Sequence, residues 1–333
     1  MDSLTQIVLG ASVGEAVLGK KVGNKAALYG AIAGTMPDLD VLAGYFVDEI
    51  TAIEWHRGFS HSFLFSLIAA PIFGKLVSYI HKNATWKDWT GLFFLGLLTH
   101  PMLDAFTTWG TQLFWPYDIK LAFQSIFVID PLYTLPFLLL LILSLRLPKT
   151  SLKRRKLNKL GLIISSSYLV ITLVLKLVSF QEFKTALENQ NIKYEEMQTR
   201  PSAFNTILWN ANVKLEDQFF LGDYSFFDTE EIQFRRFLQN EHLLDELAQH
   251  PEILRLKKIT KNWYTISKNE NGDVFLNDLR FGLLSPSPNE TNFVFSYYLF
   301  NEQDKKLDIK ETPKTRGDAK KLLNELWSRI KGN

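Results

Sequence analysis

Two stretches limit the folds open to this chain. Ser62–Ile80 and Leu160–Phe180 are apolar throughout, and each holds a single charged residue, Lys75 and Lys176. Runs of this length match a helix crossing a hydrocarbon core of about 30 Å. Trp89–Thr108 and Phe127–Leu147 are further candidates, the first carrying His100 and Asp104 inside it. Leu4–Leu18 rises only about 22 Å as a helix, short of a full crossing, and reads as a short or re-entrant helix. It does not read as a signal peptide, because Lys20 and Lys21 follow the apolar run instead of preceding it. Lys25–Met36 is rich in Gly and Ala, the residues that let membrane helices approach closely. The expected fold is therefore an α-helical integral membrane domain of about 5–6 membrane helices over residues 1–180.

The remainder differs in kind. Residues 1–180 carry 16 basic and 11 acidic side chains, whereas 181–333 carry 21 and 24. Gln181–Arg200 is polar and helical in style. Phe204–Val213, Gln218–Phe227, Trp263–Ser267, Asp273–Phe281 and Asn292–Phe300 read as strands, and Glu230–Gln249 and Arg316–Lys331 as amphipathic helices. This predicts a smaller soluble α+β domain over 181–333. The near-neutral balance gives no footprint for nucleic acid.

Three short polar clusters interrupt the apolar half. They are Pro37-Asp38-Leu39-Asp40, His56-Arg57-Gly58-Phe59-Ser60-His61-Ser62, and His100-Pro101-Met102-Leu103-Asp104. Asp38, Asp40, His56, His61, His100 and Asp104 are all metal-ligand types. With no cysteine in the chain, a metal would be held by nitrogen and oxygen alone, which suits zinc, manganese or iron. His100 and Asp104 are four apart and share one face of a helix. His56 and His61 are five apart, which suits a loop entering a helix, with Ser60 as a cap. Asp38 and Asp40 point to opposite sides of an extended loop unless the loop curls around an ion. Arg57 is either a fork for phosphate or carboxylate or an interfacial snorkelling arginine. Glu15 is either a general base with a raised pKa or a structural hydrogen-bonding group. Asp130, before Pro131, is a helix cap or a further site residue. His81, His242 and His250 read as surface residues.

Lys and Arg fix an expected orientation. Lys149–Lys159 contains six basic residues and no acid, the strongest cytoplasmic signal in the chain. Threading outward from it collects all the candidate ligands toward the outer side of a plasma membrane. It also leaves residues 181–333 extracytoplasmic.

The ordered combination of Pro-Asp-x-Asp, His-Arg-Gly-Phe-Ser-His-Ser and His-x3-Asp resembles the YdjM-like family of membrane-bound metal-dependent hydrolases, over roughly residues 1–150. That family is grouped with helical zinc phospholipases C and P1-type nucleases. The resemblance implies phosphoester hydrolysis with a divalent metal, and membrane lipid or a lipid-like phosphoester as partner and substrate. Such families often show a Thr-His pair near the N-terminus, where this chain reads Thr5-Gln6. One imidazole fewer keeps a non-catalytic metal-binding regulator open beside the hydrolase. An ion-coupled transporter would fit the short Gly-rich helices, but no inverted repeat accompanies them.

Overall fold

The computed structural model describes residues 1–301, 307–312 and 319–333. The chain forms two compact units. The first comprises Met1–Val47, Glu54–Val174 and Ala203–Asn205, and the second Asp48–Ile53, Leu175–Ser202 and Thr206–Asn333.

The first unit is helical. Helices α1 (Ser3–Val22) and α2 (Asn24–Thr35) form a tight pair, and both pack on α5 (Trp86–Asp104). The short helix α3 (Glu49–Trp55), whose residues up to Ile53 belong to the second unit, precedes the His-Arg-Gly-Phe-Ser-His-Ser motif. Helix α4 (Phe63–Ile80) packs along α5, and α6 (Pro131–Leu145) lies against α1. Glycines set the α1–α2 distance. A Cβ on Gly10 would lie 2.3 Å from the Gly30 carbonyl oxygen, and one on Gly14 would lie 2.2 Å from that of Ala26. Only residues without a side chain permit such backbone contact. Trp89, Leu92, Phe93 and Leu97 of α5 fill the space between α2 and α4.

Two helices are long and apolar enough to cross a membrane among the described residues, α4 and α7 (Leu152–Asn189). Helix α6 is apolar but shorter, and α1, α2 and α5 do not meet the same length and composition test. Leu67, Ile72 and Leu76 on α4, with Val170 and Ile171 on α7, are exposed. Bare aliphatic stripes of this kind suit lipid contact.

Polar residues tie the helices together where water is scarce. Arg154 of α7 donates from Nε to Glu15 Oε1 and from its terminal nitrogen to Oε2, both at 2.6 Å, and both side chains are buried. Asn158 donates to the Ser12 carbonyl at 2.9 Å. Thr5 and Thr134 share a hydroxyl bond at 2.6 Å.

The second unit contains two four-stranded antiparallel meanders. One runs β1 (Glu196–Pro201), β2 (Leu208–Lys214), β3 (Gln218–Ser225), β4 (Phe234–Leu238). The other runs β5 (Tyr264–Lys268), β6 (Val274–Leu283), β7 (Phe293–Asn301), β8 (Leu307–Glu311). Phe219 and Leu221 pack with Trp263 and Leu279, so the sheets share core residues. Helices α8 (Pro251–Ile259) and α9 (Ala319–Ile330) complete the unit.

Several local expectations change. Gln181–Arg200 is not one polar helix: α7 runs on to Asn189, and β1 follows. Glu230–Gln249 divides into strand β4 and a 3-10 helix over Glu241–Gln249. Phe234 and Phe237 gain cross-strand partners in β3, Gly222 and Phe219, and that pairing overrides the helical spacing. Strand β8 had no counterpart in the sequence reading. The expected start of the last helix, residues 316–318, lies outside the described residues.

Candidate metal centre

The site grows from three backbone devices. Pro37 ends α2 and starts a 3-10 helix over Pro37–Tyr45, so the Asp38–Asp40 stretch is curled instead of extended. The motif 56–62 turns tightly. Arg57 takes φ +58, Gln112 N donates to the Arg57 carbonyl at 3.0 Å, and His61 N donates to Gly58 O at 3.0 Å. Ser62, not Ser60, caps α4, accepting from Phe65 N at 2.9 Å. Finally, α5 carries His100 and Asp104 on one face, one turn apart, with Pro101 between them.

These devices bring four ligand atoms together. Asp38, His61, His100 and Asp104 each offer one, and all four lie within 4.8 Å of one another. His61 Nε2 and His100 Nε2 are 3.1 Å apart. Asp38 Oδ1 lies 3.3 Å from both imidazole nitrogens, and Asp104 Oδ2 lies 3.4 Å from both. A tetrahedral ion with bonds of about 2.0–2.1 Å spaces its ligands roughly 3.3–3.4 Å apart. Four of the six edges fall in that range, and the His61–His100 edge at 3.1 Å is slightly shorter.

The surroundings orient these atoms. His100 Nδ1 lies 2.6 Å from the Gly34 carbonyl, which accepts its proton and leaves Nε2 as the lone-pair nitrogen facing the centre. His61 Nδ1 lies 3.0 Å from Ser60 Oγ and 3.3 Å from Asp40 Oδ2. This carboxylate–imidazole pairing fixes ring orientation at metal sites. Asp40 also accepts from Arg57 N at 2.9 Å and from Ser60 Oγ at 3.1 Å, and its Oδ1 lies 3.1 Å from His56 Nδ1. On Asp104, Oδ1 accepts from Gln6 Nε2 at 3.1 Å and from the Met1 nitrogen. Its Oδ2 is buried without a hydrogen-bond donor of good geometry, although it has Arg57 Nε at 3.3 Å. A buried carboxylate oxygen held this way, facing two imidazoles, fits a cation ligand.

Electrostatics point the same way. Burial disfavours the Asp38 carboxylate charge, but hydrogen bonds to His100 and His61 outweigh it and hold the group well below the usual carboxylate range. Burial lowers His61, yet Asp104, Asp38 and Asp40 together push it up to about 9. The cluster is a place where positive charge is favoured.

The sequence candidates divide accordingly. Asp38, His61, His100 and Asp104 converge. Asp40 and His56 sit one layer out, His56 edge-on to Trp109 at 6.0 Å between ring centroids. Arg57 is buried, and its Nη1 donates to Thr107 Oγ1 at 2.9 Å, so it braces Asp104 instead of snorkelling to the headgroups. Glu15 is not a free base, because both its oxygens are committed to Arg154. Asp130 is a helix cap, accepting from Leu132 N and Tyr133 N at 2.9 and 3.1 Å, with Tyr168 Oη at 2.9 Å on the other oxygen. Gln6, Ser60 and Thr107 join the site without having been chosen as site residues. The sequence marks Gln6 only as the position where related chains show an imidazole.

A helical membrane protein with a largely buried two-histidine, two-carboxylate cluster, Asp38 at its more exposed flank, is the class defined by these features. The match to the model of the YdjM inner membrane protein family covers residues 1–179, and the chain belongs to that family. No curated protein and no solved structure matches it.

Proposed function

We propose that the protein is a membrane-bound, metal-dependent hydrolase acting on a phosphoester. The observation carrying this reading is the set of five ligand–ligand distances between 3.1 and 3.4 Å, each histidine backed by an oxygen acceptor. Zinc fits the donor set best, with manganese or iron as alternatives. When bound, such an ion supplies Lewis acidity and lowers the pKa of coordinated water toward neutrality.

The chain's own residues supply the rest. Asp40 and the Gly34 carbonyl hold the two rings. Gln6 and Arg57 hold Asp104. Asp38 is the most exposed of the four ligands and marks the flank by which substrate enters. The site lies next to Phe63, the first residue of the spanning helix α4, which supports a lipid-like or membrane-proximal phosphoester over a soluble nucleotide. Arg57→Lys keeps the charge but loses the planar fork. It is expected to lower turnover of a phosphodiester about tenfold. Bound ion should stay constant, because Asp104 Oδ1 keeps Gln6. Equal activity in Arg57→Lys and Arg57→Ala would remove Arg57 from the site's workings.

On this reading α1, α2, α5 and α6 join α4 and α7 in a multi-pass domain of about 5–6 membrane helices. The Lys149–Lys159 basic run, which leads into the first turns of α7, supports a cytoplasmic N-terminal end for that helix and an extracytoplasmic second unit. A cytoplasm-only reporter fused after Asn333 is expected to be silent, and strong signal would reverse the orientation.

A second reading is favoured by one specific feature. Four side chains offer as many ligands as a structural zinc site uses, whereas catalytic sites keep a position open. On this reading the protein is a non-catalytic metal-binding regulator. Stoichiometric ion without turnover on a generic phosphodiester such as bis(p-nitrophenyl) phosphate would select it.

A further inference from the structure

The 3-10 helix Pro37–Tyr45 has two unlike faces. Asp38 and Asp40 turn toward the metal cluster, while Leu39, Val41, Leu42, Tyr45 and Phe46 are exposed, the last two at 81% and 87%. Soluble surfaces rarely leave so many large apolar side chains bare on so short a segment. The helix cannot turn them inward without withdrawing Asp38 from His61 and His100, so the exposure is built into the ligand geometry.

The contacts of this helix also fix its depth. Asp38 Oδ1 is 3.3 Å from His61 Nε2, and His61 stands two residues before the start of spanning helix α4 at Phe63. Phe63 N donates to the Leu113 carbonyl at 2.9 Å, which anchors a second bare apolar loop at the same end of α4. In that loop Phe114 and Tyr117 are exposed, and Trp115 packs on Phe59 at 5.0 Å between ring centroids. Apolar and aromatic side chains gathered around the first turn of a spanning helix occupy the depth where headgroups meet acyl chains.

We propose that residues 39–46 are an interfacial anchor, buried in the headgroup–acyl boundary of the phospholipid bilayer. The 3-10 helix Pro37–Tyr45 thus turns Asp38 and Asp40 to the site on one face and lays its other face against lipid. The inference is independent of the hydrolase reading, since its test involves neither ion nor turnover.

The chain has no cysteine, so single-cysteine variants take a nitroxide label at one place only. Val41→Cys and Phe46→Cys would be labelled in the full-length protein, reconstituted in phosphatidylethanolamine–phosphatidylglycerol liposomes. Leu67→Cys, on the exposed face of α4, and Leu254→Cys, on the exposed face of α8, provide lipid and aqueous references. The ratio of oxygen to nickel-chelate accessibility at positions 41 and 46 is expected to exceed that at 254 several-fold and to approach that at 67. A ratio equal to that at 254 at both positions would overturn the proposal. So would labels shielded from both reagents, which would mean that protein, not lipid, covers this face.

Discussion

Protein carrying His61→Ala and His100→Ala together is expected to purify without a stoichiometric ion. Each imidazole contributes one corner of the four-atom group, and their Nε2 atoms lie 3.1 Å apart. Removing both leaves Asp38 and Asp104 as the remaining pair, with no nitrogen ligand within the group. Two carboxylates alone bind a borderline transition metal far more weakly than a mixed nitrogen–oxygen set. Metal analysis of the double variant checks this, with His242→Ala, an exposed position in the second unit, as the neutral comparison. Stoichiometric ion in the double variant would dismiss the site as drawn.

The second large effect is expected at a residue that bears no ligand. Gly30→Leu should destabilise the helical unit by about 3 kcal/mol, the upper end of the usual overpacking cost. A Cβ at Gly30 would sit 2.2 Å from the Gly10 carbonyl oxygen and 2.9 Å from Gly14 Cα, so α1 and α2 would have to separate. The damage should reach the metal as well. One turn further along α2, the Gly34 carbonyl holds His100 Nδ1 at 2.6 Å, and a shifted α2 releases that ring. Thermal unfolding in detergent and ion content should therefore fall together. Gly91→Ala, where an added Cβ meets nothing within 4 Å, should leave both unchanged. A Gly30→Leu protein as stable as the parent would mean that the close α1–α2 contact is not required.

Much of the site could be read from residue order. Asp38, His61, His100 and Asp104 were all legible because each is a polar metal-ligand type set beside or inside an apolar run, where an unpaired charge is costly. Helical spacing alone put His100 and Asp104 on one face. What spacing could not supply was rank. His56 and Asp40 match the same residue types, and only the tight turn at Arg57 and the 3-10 curl after Pro37 place them outside the four ligand atoms. Glu15 and Asp130 show the complementary limit. Each is a buried carboxylate with two readings: Arg154, remote in sequence, decides for Glu15, and the amides of Leu132 and Tyr133 make Asp130 a cap, with Tyr168 reaching its other oxygen from afar. Gln6 entered as the place of a missing imidazole, and its amide instead braces Asp104. In the second unit, periodicity located most strands but misread Phe234–Leu238, because cross-strand pairing is set by β3 and not by local pattern.

The centre itself is tested most directly by metal content and turnover measured on one detergent-purified sample. The geometry predicts at least one equivalent of a first-row transition metal, with hydrolysis of bis(p-nitrophenyl) phosphate lost on chelation and restored when the ion is returned. Protein that is folded and free of metal, or turnover indifferent to chelation, would contradict it.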